Sequence, residues 1–271
     1  MAMTFDEATR VVPAGPGVFD VDLRQEYAIG ANKPNGGYML ACLGRAALAA
    51  AQEAGATHQH VIAAGAQYLA SPDIGPARIE TSVLRVGKTA SQVRTRISNG
   101  DNAGVEARFT LANLPEDGEP YWGGLPAVSL PAWEDCDARP ALAERGISVA
   151  FDPATTFRPG AEGPIVTGGG EFRAWLRNDT TGVMDTVGLL YACDAMPPAT
   201  FGVVSTGWVP TLDLTVYIRA VPVPGPLRLR FRAQMIQDGF ADEVCEGWDE
   251  AGRLVFQSTQ LAALRHPPKG A

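Results

Sequence analysis

Asp194 is placed to do chemistry. It stands near the C-terminal end of a stretch that reads as a helix from Gly182 to about Ala195, next to Cys193 and Ala195, and partial burial there would raise its basicity enough to take a proton from water. Gly36-Gly37 and Gly182-Val183 each open a stretch that reads as a helix. Backbone N–H groups at such a terminus can hold a developing anion, although Gly36-Gly37 could equally be only the turn that starts its helix. Arg228, Arg230 and Arg232 alternate along one strand and share a face, either a solvated sheet surface or a clamp for phosphates. His58 and His60 form an HxH pair with no Cys, Asp or Glu beside it to complete a metal-ligand set, and His266 sits in a Pro-rich tail. No GxSxG elbow, GxGxxG or Walker A motif is present, so neither a serine nucleophile of the α/β-hydrolase kind nor a nucleotide-dependent enzyme is expected. No metal or redox cofactor is implied.

The elements that must position these residues come twice. Tyr68-Leu69-Ala70-Ser71-Pro72-Asp73-Ile74-Gly75-Pro76 returns about 150 residues later as Ile218-Arg219-Ala220-Val221-Pro222-Val223-Pro224-Gly225-Pro226. Ala70, Pro72, Gly75 and Pro76 recur without a gap as Ala220, Pro222, Gly225 and Pro226. A second echo pairs Asp101-Asn102-Ala103-Gly104 with Asp249-Glu250-Ala251-Gly252. Two units of roughly 120 residues point to paired domains rather than a solenoid.

Within the first unit a strand at 18–23 precedes a helix from Asn35-Gly36-Gly37 to about Gly55. Strands follow at about 60–71, 77–86, 91–98 and 105–113. The second unit repeats the order: a strand at 171–176, a helix from Gly182 to about Ala195, and strands at about 209–220, 227–237, 240–248 and 254–264. One helix whose apolar stripe covers a twisted antiparallel sheet, in tandem, is an α+β arrangement. We place an N-terminal domain at 1–114, a linker rich in Pro, Gly and acids at 115–170, and a C-terminal domain at 171–271. Trp122 and Trp133 are expected to pin the linker by burying aromatic area.

Composition narrows the class. Hydrophobic residues make up 46% and charged residues 19%, with no apolar run long enough for a membrane span. Asp6 and Glu7 stand where a secretory signal would be basic and apolar, so a cytoplasmic protein is expected. Cys42, Cys136, Cys193 and Cys245 are scattered without a CxxC pair, which suits reduced thiols. A net charge of −8 disfavours nucleic acid as a partner.

The chain from about Val18 to Arg265 resembles the acyl-CoA thioesterase II family, the double-hotdog thioesterases. The resembling segments are Tyr191-Ala192-Cys193-Asp194, Val209-Pro210-Thr211-Leu212-Asp213 and Ser258-Thr259-Gln260 followed by Arg265, with Pro34-Asn35-Gly36-Gly37-Tyr38 similar to the glycine-rich start of a hotdog helix. The resemblance implies that Asp194, Thr211 and Gln260 surround an attacking water and that an acyl-CoA is the substrate. It implies an oxyanion held by backbone N–H groups at Gly36-Gly37 or at Gly182-Val183. It also implies coenzyme A phosphates as the ligand of Arg228, Arg230 and Arg232, and an acyl tunnel between halves whose sheets join.

The roles are chemically coherent. Thr211 and Gln260 both donate and accept, so they can orient water without carrying charge, and a thiolate of pKa roughly 8.5 leaves without a histidine acid. The first helix carries no acid before Glu53, so one site per chain is expected. A homodimer or higher homo-oligomer is the default assembly. Two alternatives keep the fold: a non-catalytic acyl-thioester binding module, and an enoyl-CoA hydratase, which would resemble its relatives in an Asp with a nearby His that Asp194 lacks.

Overall fold

The fold was read from a computed structural model of the chain, which describes residues 3–29, 32–100, 102–115, 118, 120–138, 146–158, 165–204 and 207–265. His266 and Asp101 lie outside the described residues.

The first unit begins with the hairpin β1 (Val11–Gly15) and β2 (Val18–Leu23), followed by helix α1 (Gly36–Glu53) and strands β3 (His60–Tyr68), β4 (Gly75–Val86), β5 (Ser91–Asn99) and β6 (Asn102–Ala112). The second contains β7 (Ile147–Phe151), β8 (Glu171–Asn178), α2 (Thr186–Ala192), β9 (Thr211–Ile218), β10 (Leu227–Gln237), β11 (Phe240–Trp248) and β12 (Leu254–Ala263). Together with the short strand Asp137–Ala138 they form one antiparallel sheet, ordered β1-β2-β4-β5-β6-β3-β9-β12-β11-β10-β8-β7 and then Asp137–Ala138. The order reads the same from either side of the β3–β9 junction. The chain is therefore a tandem hotdog, with α1 packed on the strands of its own half and α2 packed mainly on α1 and on the junction strands β3 and β9.

The repeated turn motif keeps its shape as well as its letters. Gly75 and Gly225 occupy equivalent turns with φ of 116° and 126°, a region that favours glycine. The second echo does not superpose. In the first half Asn99 pairs with Asn102 across a tight turn, so Gly104 already lies in a strand; in the second Trp248 pairs with Leu254, so Gly252 is in the turn.

Two elements differ from the sequence expectation. Helix α2 is shorter than the 182–195 segment suggested: Gly182 adopts φ 70°, Asp185 caps the helix through Gly188 N–H, and Pro197-Pro198 block its extension. In addition, β7 arises within the segment read as linker. Its five residues pair with β8, Ile147 opposite Asn178 through Phe151 opposite Ala174, and stand to β8 as β1 stands to β2. Trp122 is exposed and anchors nothing. The segment is instead held from the sheet side, where Trp175 Nε1 donates to Pro131 O at 2.8 Å and Trp248 Nε1 to Leu125 O at 3.3 Å. Arg177 stacks 4.2 Å over Trp133.

Helix α1 is apolar nearly all round because two surfaces cover it. Leu40, Leu43, Ala47 and Ala51 are buried, and the sheet lies on one side with α2 on another. Small residues let the helices touch. A Cβ on Gly37 would lie 2.8 Å from Leu190 O, and one on Gly44 would lie 2.7 Å from Leu190 Cδ1. Tyr27 stacks on Tyr38 with centroids 4.4 Å apart, and Phe5 packs against Tyr191, so the N-terminal segment seals the outer side of the helix pair. No described helix is long and apolar enough to cross a membrane.

Candidate active site

The close approach of the helices brings the N-terminus of α1 against the residue that follows α2. Asn35 caps α1, its side-chain oxygen accepting from Tyr38 N–H at 2.9 Å. Its amide nitrogen is then free to reach across to the other half, where it donates to Asp194 O at 2.9 Å and to Asp194 Oδ2 at 3.2 Å. Gly37 N–H donates to the same Oδ2 at 2.8 Å. One carboxylate oxygen is thereby anchored on the positive end of a helix.

Opposing effects set the basicity of Asp194. Burial pushes its carboxyl up to about 7, while the Gly37 and Asn35 donors pull down and the nearby Glu243 charge pushes up. The net result is a base that ionises near neutrality.

The sheet supplies the opposite wall. On the face toward the helices, one row of cross-strand partners runs Ala66, Leu214, Gln260, Glu243 and Ala233 over five adjacent strands. Gln260 Nε2 donates to Glu243 Oε2 at 2.8 Å, and Thr200 N–H donates to Glu243 Oε1 at 3.2 Å. That pairing fixes which way round the amide stands. Gln260 Oε1 is left buried and without a protein partner, as is the Thr200 hydroxyl. Glu243 itself is fully buried, and burial raises its carboxyl above the usual range.

Thr211 reaches the same face through a backbone irregularity. Strict alternation from inward-facing Leu214 would turn Thr211 outward; the β9 register shifts between Thr211 and Asp213, so Thr211 pairs with inward-facing Ala262. Asp194 is linked to this wall through Glu243, whose charge acts on it and whose carboxylate accepts from Gln260.

The remaining candidates divide between this place and others. Gly36 and Gly37 are at the site, and the Gly37 amide is occupied by Asp194. Gly182 and Val183 precede the N-terminus of α2, the end away from Asp194, where their N–H groups bond Asn178 O and Thr181 Oγ1. Arg228, Arg230 and Arg232 alternate with inward-facing Leu229 and Phe231 and so occupy the opposite face of the sheet. There Arg230 and Arg232 share the carboxylate of Glu246 and Arg228 stacks on Trp175, so the stripe is engaged on the outer surface rather than aimed at the site. His58 Nδ1 meets Ser91 Oγ at 2.9 Å and His60 Nδ1 accepts from Leu114 N–H at 2.9 Å. The described cysteines are all free thiols.

Sequence reasoning missed Asn35 as a ligand of Asp194 and missed Glu243 altogether. A signal for Glu243 exists: Ala241, Glu243 and Cys245 alternate onto one face, so an acid falls on an apolar stripe.

Comparison with known proteins gives a family for this geometry. The family model of the acyl-CoA thioesterase N-terminal domain matches residues 23–112, and that of the C-terminal domain matches residues 124–264. An uncharacterized protein of Mycobacterium tuberculosis is 31% identical over 95% of this chain and 96% of its own. A candidate thioesterase II of Thermobifida fusca superposes with a TM-score of 0.84 at 31% identity, covering 97% of this chain and 98% of the other. The acyl-CoA thioesterase II TesB2 of Mycobacterium marinum shares the fold, with a TM-score of 0.68 at 15% identity over 99% of this chain and 100% of the other. With both halves matched in order, the chain belongs to the acyl-CoA thioesterase family.

Proposed function

We propose that the protein hydrolyses acyl-CoA thioesters to a free acid and coenzyme A by direct attack of a water activated by Asp194. The observation that carries this reading is the half-anchored carboxylate, with Oδ2 tied to Gly37 N–H and Asn35 and the group titrating near neutrality. Asp194 Oδ1 takes a proton from water as the oxygen bonds to the carbonyl carbon. The tetrahedral intermediate then collapses, expelling the thiolate, which takes the proton held on Asp194 to become the free thiol and returns Asp194 to its carboxylate form. Gln260 offers its free Oε1 as an acceptor for a water hydrogen, because its nitrogen is committed to Glu243. Thr211, on the same sheet face, supplies a hydroxyl to complete the water's orientation.

Hydration of an enoyl-CoA is disfavoured, since the two histidines among the described residues, His58 and His60, are engaged with Ser91 and Leu114. The decisive experiment is free-thiol release from short-, medium- and long-chain acyl-CoAs by the native protein and by Asp194→Asn. A fall in kcat of about 10²–10⁴ with the fold intact is expected for the variant, and equal turnover by the two proteins would end the Asp194 mechanism. Binding without thiol release by the native protein would favour a non-catalytic acyl-thioester module.

A further inference from the structure

Hydrolysis needs a donor for the oxygen of the thioester carbonyl, and the helix amide nearest the reacting groups, Gly37 N–H, is already bonded to Asp194 Oδ2. A different donor faces the same space. Tyr68 is the last residue of β3, two positions beyond inward-facing Ala66, and follows Gln67, the partner of Asp213, so it stands beside the irregularity that carries Thr211. Its hydroxyl is buried and has no protein partner. The ring lies against the start of α1: a Cβ on Gly36 would stand 3.0 Å from Tyr68 Cε1, 3.3 Å from Tyr68 Cζ and 2.9 Å from Asp194 Oδ2. Glycine at position 36 therefore keeps open the gap between the phenol and the carboxylate.

We infer that Tyr68 is a catalytic residue whose hydroxyl donates a hydrogen bond to the thioester carbonyl oxygen and stabilises the oxyanion formed when water adds. The inference rests on the hydrolytic reading above. The proton stays on Tyr68 throughout: the carbonyl π electrons move to oxygen as the C–O bond to water forms, Asp194 receives the water proton, and the electrons return as the C–S bond breaks. Burial and the neighbouring Asp194 charge raise the phenol well above its usual range, so it remains a donor at every working pH. A buried donor with no protein partner is costly in the free protein, and a ligand oxygen supplies what is missing.

The test is Tyr68→Phe, which deletes only the unpartnered oxygen and so is expected to fold with an unchanged or higher melting temperature. Thiol release should show kcat lowered about 10²–10³-fold with KM within about 3-fold of native. A kcat within about 3-fold of native, alongside an inactive Asp194→Asn, would overturn the role of Tyr68 while leaving the hydrolytic reading in place. A second readout does not depend on turnover: isotope-edited infrared spectra of a ketone analogue in which a methylene replaces the thioester sulfur. The bound carbonyl band should lie below its free position in the native protein and return toward it in Tyr68→Phe. If the native protein releases no thiol from any acyl-CoA, the hydrolytic reading fails, and this band alone decides: a band that is the same in both proteins, or no binding of the ketone, overturns the inference.

Discussion

The two helices contact each other through two ends, and the ends have been put to different uses. At the start of α1, the cap Asn35 reaches into the second half and holds Asp194, a carboxylate with no cation beside it among the described ion pairs. At the start of α2, the cap Asp185 reaches into the first half and meets Arg45, which pairs with it at 2.9 Å and also with Asp6. The duplicated frame thus places a cap of one helix against a residue nine or ten positions past the cap of the other, in both directions. A neutral cap facing an acid leaves a charge that can titrate; an acidic cap facing an arginine cancels it. The difference between a site and a strut is the sign of two side chains, not the backbone.

That contrast can be broken first at the reactive end. Gly37→Ala would place a methyl 2.8 Å from both Leu190 O and Asp194 Cβ, where backbone cannot give way. The expected result is a loss of about 1–3 kcal/mol in urea unfolding together with at least a tenfold fall in kcat. Full activity and stability would show that the helix contact does not position Asp194.

A smaller effect sharpens the comparison through pH. The folded state holds a proton on Asp194 up to about 7, whereas the unfolded chain releases it near 4, so the native state binds more protons between these values. Stability contributed by that proton is full below pH 4 and is lost as pH rises through 7, the same interval in which the base becomes active. Relative to Asp194→Asn, the native protein should lose melting temperature from pH 5 to pH 8 while its kcat/KM climbs with a midpoint near 7. Parallel stability profiles for the two proteins would remove the buried-base assignment. The smallest effect belongs to the strut: Arg45→Met should change stability by roughly 0.2–1 kcal/mol and leave kcat within a factor of two, because its ion pairs are partly exposed.

Sequence made most of the fold readable because the turn motif around Gly75 returns at Gly225 and the runs between the turns are long enough to read as strands. β7 was not readable. Ile147 to Phe151 is a five-residue segment in a Pro- and Gly-rich stretch, and it becomes a strand only by pairing with β8. The site divides similarly. Asp194, Thr211 and Gln260 sit in short motifs whose order survives in the chain. Asn35 and Tyr68 lie in the other half, and nothing local in either segment announces a partner more than 120 residues away. Thr211 is opposite inward-facing Ala262 through a register shift that no alternation rule would supply.

The β3–β9 junction bears on how the chain is made. During synthesis β3 gains a partner on one edge once β6 has left the ribosome, while the strand that covers its other edge follows about 100 residues after β6, roughly 5–20 s at ordinary translation rates. Through that interval the first half presents an open strand edge, a template for joining a neighbouring nascent chain. Carrying both halves on one polypeptide makes the closing strand arrive at high effective concentration, so the union that would complete a two-chain assembly becomes a concentration-independent step of folding.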